Sequence, residues 1–346
     1  MNINVENVLE VEQIPSVYES NNVDLRFVSK DLVNGLKIVQ KDTAYIVGNL
    51  ALSEGISPHK NINGAPDELD YKVLLKSGLL LGFHKIGNPI TLTTGFPFST
   101  FQLYKDQARE MLVGEHILEF DTATFSSGGK KKVVAEVDNA YVMPEAVSCA
   151  LALRKLGTAR GNFFVVSLGY GTFEAILSTE GGLVQRSSVS TFGLRYAVKL
   201  LEAELSKTYY LDLKNEHQID TAFRNSFIFL NRKRVDLSDL KRKVLRQYYE
   251  DVVSPALRKA FDDNDFSKSS TMYLAGGGAL YDELLDCFQE EFTDILDVKV
   301  PEDAAYLAAK GYCFNSLMAN GGDKGRAMGL DIGNSTTVIC TFKVES

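Results

Sequence analysis

Apolar and polar positions along the chain alternate between helix-like and strand-like patterns. Residues 69–83 are apolar at helical spacing and predict a core helix, whereas residues 89–97 predict a strand that ends in a Gly-x-Pro break. Residues 236–261 predict one long helix that starts with an Asp-Leu-Ser-Asp cap. Residues 301–312 predict another helix, whose small side chains suit a close crossing with a neighbour. This mixture is typical of an α/β protein.

The most informative segment closes the chain. Residues 327–339 run as an apolar strand to Asp331, turn on Gly333 and hydroxyl residues, and return as a β-branched strand. We expect a hairpin whose polar tip can hold phosphate, because Gly333 permits close approach of the backbone and Ser335 and Thr336 can donate to phosphate oxygens. Asp331, at a strand end, can hold a hydrated divalent cation. Taken alone, an ordinary hairpin turn explains this segment equally well.

Two further glycine turns repeat this chemistry. Residues 165–177 align with the C-terminal hairpin. In this alignment Ser167 stands at the place of Asp331, Gly169 at that of Gly333 and Thr172 at that of Thr336. A third turn, residues 276–279, follows a short apolar strand and precedes a predicted helix. A nucleotide can lie against bare backbone at such a turn.

Together the three motifs resemble those of the superfamily of actin, sugar kinases and heat-shock chaperone ATPases. The resemblance implies an actin-like (ribonuclease H-like) two-lobed α/β fold that binds ATP or ADP with Mg²⁺ in a cleft between its lobes. The implied lobes are residues 1–151 with 303–346, and residues 152–302. The implied nucleotide-binding residues are Gly333, Asn334, Ser335, Thr336, Ser167, Gly169, Tyr170, Gly171, Thr172, Gly276, Gly277, Gly278 and Ala279.

The order of the motifs differs from that of the superfamily. There the first phosphate hairpin opens the chain, whereas here it follows the glycine turn that should come last. The resemblance therefore implies a circular permutation, with residues 320–326 as a flexible linker to the displaced strand. We predict that residues 3–12 pair antiparallel with residues 336–344, so that the two termini are neighbours in one sheet.

Three segments narrow the resemblance to plasmid-segregation actins of the ParM (StbA) type. They are Val47-Gly48-Asn49-Leu50-Ala51, Thr94-Gly95-Phe96-Pro97 and Met143-Pro144-Glu145. In that family the glutamate of the last segment polarises the water that attacks the γ-phosphate, so the resemblance implies that Glu145 is catalytic. It also implies that Asp331 is catalytic and holds Mg²⁺ through water. The structural alternative for Glu145 is a favourable position in the first turn of a helix.

Ser167 departs from the family pattern, which usually has aspartate at this place. Loss of that carboxylate should weaken Mg²⁺ coordination or slow hydrolysis, so we expect a slow ATPase. The leading hypothesis is a filament that assembles from copies of this chain under nucleotide control, for plasmid segregation or another cytoskeletal role, with a DNA-bound adaptor protein as a further partner. The alternatives are a non-polymerising nucleotide-binding scaffold and a small-molecule kinase, although no separate general-base aspartate with a substrate-binding insertion stands out.

Composition adds constraints to this picture. The 346-residue chain is long enough for about two domains, and its net charge of −8 argues against direct nucleic-acid binding. The four cysteines form no CxxC pair and the four histidines show no ligand spacing, so we expect buried thiols and no structural metal. We also expect a cytoplasmic protein without a leader or a membrane span. The cations at 130–132 and 241–246 are expected to be solvated.

Overall fold

The computed structural model describes residues 9–60, 64–184, 188–209 and 216–343. The chain divides into two compact units, Met1–Thr158 with Tyr306–Ser346, and Ala159–Ala305. No helix in the described residues is both long enough and apolar enough to cross a membrane.

The first unit is built on a mixed sheet. Its described strands are β1 (Leu9–Pro15), β2 (Val17–Ser20), β3 (Lys37–Gln40), β4 (Thr43–Val47), β5 (His59–Lys60), β6 (Ile90–Phe96), β7 (Gly114–Asp121), β8 (Lys130–Pro144), β17 (Ala327–Ile332) and β18 (Thr336–Phe342). Their order across the sheet is β1-β18-β17-β6-β8-β7-β3-β4-β2-β5. The helices are α1 (Asn49–Glu54), α2 (Leu69–Ile86), α3 (Phe98–Leu112), α4 (Glu145–Lys155) and α11 (Leu307–Ala319).

The first and last described strands of the chain are neighbours. β1 pairs antiparallel with β18, from Leu9 opposite Phe342 to Pro15 opposite Thr336. β18 pairs antiparallel with β17, which runs parallel to β6. The predicted pairing of the terminal segments is confirmed over these residues. The rest of that prediction, residues 3–8 and 344, lies outside the described residues.

Helix α11 packs closely against its neighbours through glycine. A Cβ on Gly329 of β17 would lie 2.5 Å from the backbone nitrogen of Cys313, and a Cβ on Gly311 would lie 2.6 Å from the carbonyl carbon of Ser148 on α4. The Ser148 hydroxyl donates to the carbonyl oxygen of Ala308 at 2.7 Å. The close crossing predicted for this helix is therefore confirmed, with α4 as its partner.

The predicted start of that helix is wrong. Residues 304–306 form a 3₁₀ turn and the α-helix begins only at Leu307. The carbonyl oxygen of Ala304 accepts from the N–H of Gly276 at 2.8 Å. A carbonyl used by another segment in this way is diverted from the hydrogen-bond ladder of the helix.

The second unit has a smaller sheet flanked by helices. Its strands run in the order β11 (Gly182–Leu183), β10 (Thr172–Thr179), β9 (Phe163–Leu168), β15 (Thr271–Ala275) and β16 (Asp297–Lys299), and β12 (Val189–Phe192) also pairs with β10. A separate hairpin consists of β13 (Phe227–Leu230) and β14 (Lys233–Asp236). The described helices are α5 (Arg195–Tyr209), α6 (Glu216–Asn225), α7 (Ser238–Tyr248), α8 (Ser254–Ala260), α9 (Asp263–Phe266) and α10 (Asp282–Phe292).

The single helix predicted over 236–261 is also wrong in detail. Asp236 ends β14, the helix begins at Ser238, and a π-helical turn over Tyr249–Val253 separates α7 from α8. Pro255 lies in the first turn of α8. Because proline has no backbone N–H to donate, a change of hydrogen-bond register just before it is expected.

The four cysteines agree with their predicted burial, whereas Lys241 does not agree with its predicted exposure. All four cysteines are buried and none forms a disulfide within the described residues, in agreement with the prediction of buried thiols. Lys241, expected on a solvated helix face, is instead buried, with its ammonium 4.5 Å from the centre of the Tyr281 ring and 3.8 Å from a carboxylate oxygen of Glu283. The aromatic ring and the carboxylate compensate for its loss of water.

Candidate functional site

The C-terminal hairpin of the first unit has a tip of three residues, 333–335. The N–H of Gly333 donates to the carbonyl oxygen of Thr336 at 3.1 Å. A Cβ at position 333 would lie 2.9 Å from that same oxygen, so the close turn requires glycine. The carbonyl oxygen of Ser335 accepts from the N–H of Ser16 at 2.9 Å, which fixes the tip against the end of β1.

Asp331 and Glu145, the two predicted catalytic carboxylates, come together in this unit. Asp331 lies on β17 two residues before the tip, and Glu145 begins α4. Burial raises the pKa of Asp331 well above its usual range, and the nearby charge of Glu145 raises it further. Two such carboxylates resist ionising together, and a cation placed between or beside them would favour their charged forms.

The second unit repeats the same tip. Gly169, Tyr170 and Gly171 connect β9 to β10, and the N–H of Gly169 donates to the carbonyl oxygen of Thr172 at 2.9 Å. A Cβ on Gly169 would again lie 2.9 Å from this threonine oxygen. The two hairpins therefore share one local geometry, a glycine hydrogen-bonded to a threonine three residues later.

The second tip is oriented by the start of α5. The carbonyl oxygens of Gly169, Tyr170 and Gly171 accept hydrogen bonds from the N–H groups of residues 194, 195 and 193, at 3.0, 2.8 and 3.1 Å respectively. The Tyr170 hydroxyl donates to Glu216 at 3.0 Å, and Glu216 is also 2.7 Å from Arg195. The side chain of Tyr170 is thus committed to this buried cluster, and burial raises the pKa of its hydroxyl.

A buried carboxylate that the sequence motifs do not indicate lies beside this hairpin. Glu174 of β10 lies directly opposite Ser167 of β9, and on its other side lies opposite Ser190 of β12. Opposite residues in antiparallel strands project from the same face of the sheet. Ser167 and Glu174 are 1% and 0% exposed, so a carboxylate is buried one strand away from the place where the family has aspartate. The available signal was a glutamate within an apolar strand.

In the third glycine turn, Gly276 and Gly278 pack closely against β9, whereas Gly277 does not. Gly276 has a φ of 80°. A Cβ on Gly276 would lie 2.7 Å from the carbonyl oxygen of Leu168, and a Cβ on Gly278 would lie 2.7 Å from the Leu168 side chain. A Cβ on Gly277 would meet nothing within 4 Å, and Ala279 is buried. Gly276 and Gly278 therefore permit packing on the end of β9, while Gly277 faces open space.

The described residues hold no cluster of three or more His, Cys, Asp or Glu side chains suited to a metal ion. Mg²⁺ is often bound through one or two carboxylates, with waters and substrate phosphates as its other ligands. The donor set around Asp331 is compatible with that mode of binding.

Residues 3–147 match the family described as actin-like proteins, N-terminal domain. No curated protein matches the chain. Among solved structures, the archaeal actin homolog Ta0583 is similar with a TM-score of 0.68 and 19% identity, covering 89% of this chain and 92% of that one. ParM from a 15-stranded Clostridium botulinum filament is similar with a TM-score of 0.69 and 16% identity, covering 88% and 92%. The actin-like protein Alp7A has a TM-score of 0.64 and 17% identity, covering 89% and 90%. The chain therefore has the two-lobed α/β fold of actin-like proteins, and its residues 3–147 are similar to the N-terminal domain of that family.

Proposed function

We propose that this protein binds ATP with Mg²⁺, hydrolyses it slowly and assembles into filaments under nucleotide control. The observation that carries the proposal is the repeated hairpin tip, in which Gly333 and Gly169 make the same hydrogen bond to Thr336 and Thr172. Each unit thereby presents a glycine turn with hydroxyl residues, and backbone N–H groups in such turns favour phosphate oxygens.

Similar structures support both parts of the proposal. The archaeal actin homolog Ta0583 has been solved with ADP, and Bacillus thuringiensis ParM with ATP. ParM from Clostridium botulinum forms a 15-stranded filament. Nucleotide binding and self-association are the corresponding properties that we infer for this chain. Segregation of plasmid DNA through a DNA-bound adaptor protein is the cellular role that we infer from the likeness to ParM.

The carboxylates of the first unit suit a divalent cation. The positive charge would relieve the repulsion that helps to raise the pKa of Asp331. In this proposal Asp331 would hold Mg²⁺ through water, and Glu145 would orient the water that attacks the terminal phosphate. Bound Mg²⁺ would supply neutralisation of phosphate charge, which phosphoryl transfer requires.

We propose that Glu174 partly replaces the carboxylate that the family has at position 167. Its support is the register, which places Glu174 opposite Ser167 on the same face of the sheet. Because Glu174 lies on the neighbouring strand, its carboxylate cannot occupy the position that an aspartate at residue 167 would have. This displacement is consistent with binding of Mg-ATP and with slow hydrolysis.

The position of the C-terminal hairpin supports the proposal of a circular permutation. β17, β18 and β1 are successive antiparallel neighbours, and β1 and β18 are the first and last described strands of the chain. Joining those two strands and opening the chain at residues 320–326 would restore the motif order of the superfamily.

A non-polymerising nucleotide-binding scaffold is the second candidate, and Ser167 is the feature that favours it. A scaffold needs nucleotide binding but neither hydrolysis nor assembly, so loss of a metal-shell carboxylate would be tolerated. The two candidates differ in one measurable property, which is nucleotide-dependent polymerisation.

High-speed pelleting with Mg-ATP, with a non-hydrolysable analogue and without nucleotide, followed by electron microscopy of the pellets, tests the proposal. We expect filaments only with nucleotide. Asp331→Asn should abolish the Mg-ATP-dependent increase in melting temperature, whereas Glu136→Gln, which changes an exposed carboxylate of the same unit, should preserve it. A protein that binds ATP yet remains in the supernatant at all concentrations would contradict the filament and favour the scaffold.

A further inference from the structure

The hairpin β13–β14 lies outside the main sheet of the second unit and has two unlike faces. Ile228 and Val235, which are opposite each other, pack against the core. Phe229 and Arg234 form the next cross-strand pair and point outward, with Phe229 64% exposed. The guanidinium of Arg234 lies 4.3 Å from the centre of the Phe227 ring.

The tip of this hairpin is strongly basic. Asn231 and Arg232 have φ values of 49° and 65°, as in a two-residue type I′ turn. Arg232, Lys233 and Arg234 are consecutive and exposed in a chain whose net charge is −8. We call residues 227–236 the basic hairpin. Its outward face combines aromatic surface with positive charge.

One edge of the sheet in the same unit is acidic. β9, β15 and β16 run parallel and all begin at this edge. Asn162, just before β9, donates to the carbonyl oxygen of Lys268 at 3.0 Å and accepts from the N–H of Glu180 at 3.1 Å. We call this surface the acidic edge, and its exposed side chains are Glu180, Asp262, Asp263, Asp294 and Ile295.

Among the described residues, two lysines near the acidic edge pair with carboxylates other than those of the edge. Lys268 is 2.6 Å from Asp265 and Lys299 is 2.7 Å from Asp297, so each neutralises an aspartate outside the group just named. Arg160 and Lys259 are also exposed near this edge, against the four carboxylates of the acidic edge. The edge therefore keeps a negative balance.

The basic hairpin and the acidic edge lie at opposite ends of helix α10. Lys241 donates to the hydroxyl of Ser226, the residue before the hairpin, and covers the ring of Tyr281, the residue before α10. The helix has 11 residues and is about 16 Å long. It ends at Phe292, whose ring lies 5.5 Å from that of Phe266 in α9, beside the acidic edge.

We propose that the basic hairpin of one copy docks on the acidic edge of the second unit of the next copy. This inference rests on the proposed function, since it names the contact through which a filament grows. The two surfaces are different, so the contact is heterologous, and repeating it gives an open chain of copies. Opposite charges guide the two surfaces together, and exposed Phe229 and Ile295 supply apolar area at the centre.

A pair of charge-reversal variants tests this contact. One variant, Arg232→Glu with Lys233→Glu, gives a copy that is acidic at both ends, and the other, Glu180→Lys with Asp263→Lys, gives a copy that is basic at both ends. Each variant alone should raise the critical concentration for assembly by roughly tenfold or more, because like charges then meet. An equimolar mixture should assemble again, because opposite charges meet at every contact.

Controls separate this inference from the filament proposal. Arg109→Glu reverses an exposed charge on α3 of the first unit, which carries neither surface, and should leave assembly unchanged. Both variants should keep the increase in melting temperature caused by Mg-ATP, which shows that they are folded. If the wild-type protein does not polymerise, the proposed function fails. If the wild-type protein polymerises and either variant alone does so equally well, or their mixture does not recover, only the docking inference is overturned.

Discussion

Gly311 on α11 offers a direct test of how the first unit holds its two carboxylates. In Gly311→Ala, the new Cβ would lie 2.6 Å from the carbonyl carbon of Ser148 and closer still to its oxygen, where ordinary contacts measure 3.4–4 Å. The obstacle is backbone, so α4 and α11 must separate by about 1 Å to admit the methyl group. Glu145 begins α4, and α11 precedes the strand that carries Asp331, so separation disturbs the carboxylate pair as well as the packing.

Two opposing effects determine how much Gly311→Ala lowers the free energy of unfolding. Overpacking against backbone costs about 3 kcal/mol, the upper part of the usual range, while replacing glycine by alanine within a helix returns about 1 kcal/mol. The net loss of about 2 kcal/mol should lower the melting temperature by roughly 4–8 °C for a unit of this size. The increase in melting temperature caused by Mg-ATP should also shrink, because the carboxylates are no longer held together.

Gly82→Ala in α2 is the matched control. Its Cβ would lie 2.5 Å from the terminal methyl carbon of Met328, a flexible side chain that can move aside. We expect a change in melting temperature within about 3 °C of zero, since only a side-chain rotation opposes the gain in helix propensity. Thermal unfolding by circular dichroism measures both variants. A Gly311→Ala protein as stable as the wild type would refute the packing argument.

Three further predictions concern the hairpin of the second unit. Glu174→Gln should lower ATP turnover. The double variant Glu174→Gln with Ser167→Asp should restore turnover, because it returns a carboxylate to the neighbouring strand. If Glu174→Gln leaves turnover unchanged, Glu174 does not have the role proposed for it. Ser167→Asp alone should raise turnover, and unchanged turnover would show that this position is not what limits hydrolysis. Tyr170→Phe should lower the melting temperature by loss of about 1 kcal/mol from its hydrogen bond to Glu216. It should leave ATP affinity unchanged, since only the backbone of residue 170 is expected to face phosphate, and weaker ATP binding measured by calorimetry would contradict this.

Much of the fold is encoded in local sequence. The two hairpin tips and the glycine turn at 276–279 were predictable, because these turns need glycine at places where a Cβ would meet backbone. Helix α2 was predictable from its apolar spacing and differs from the prediction by three residues at its end. The pairing of β1 with β18 also followed from sequence, through the resemblance of the three motifs to one superfamily.

Other features depend on segments that are distant in sequence. Periodicity alone predicts one helix over 236–261 and does not place the π-helical turn or the 3₁₀ turn before α11. Lys241 is buried because Tyr281 and Glu283, 40 and 42 residues later, supply a ring and a carboxylate beside its ammonium. Proximity of such groups is set by the packing of whole elements.

The sequence by itself determined the turns, the periodic helices and the candidate phosphate contacts, because each of these depends on a few consecutive residues. Only the tertiary structure decided that Glu174 lies opposite Ser167 and that Asp331 lies near the charge of Glu145. It also decided that the backbone of Ser148 packs directly against Gly311. The physical reason is that strand register and helix crossing are fixed by the burial of complete faces. Residues far apart in the chain, such as Ser148 and Ala308 with a separation of 160, are then brought into hydrogen-bonding distance.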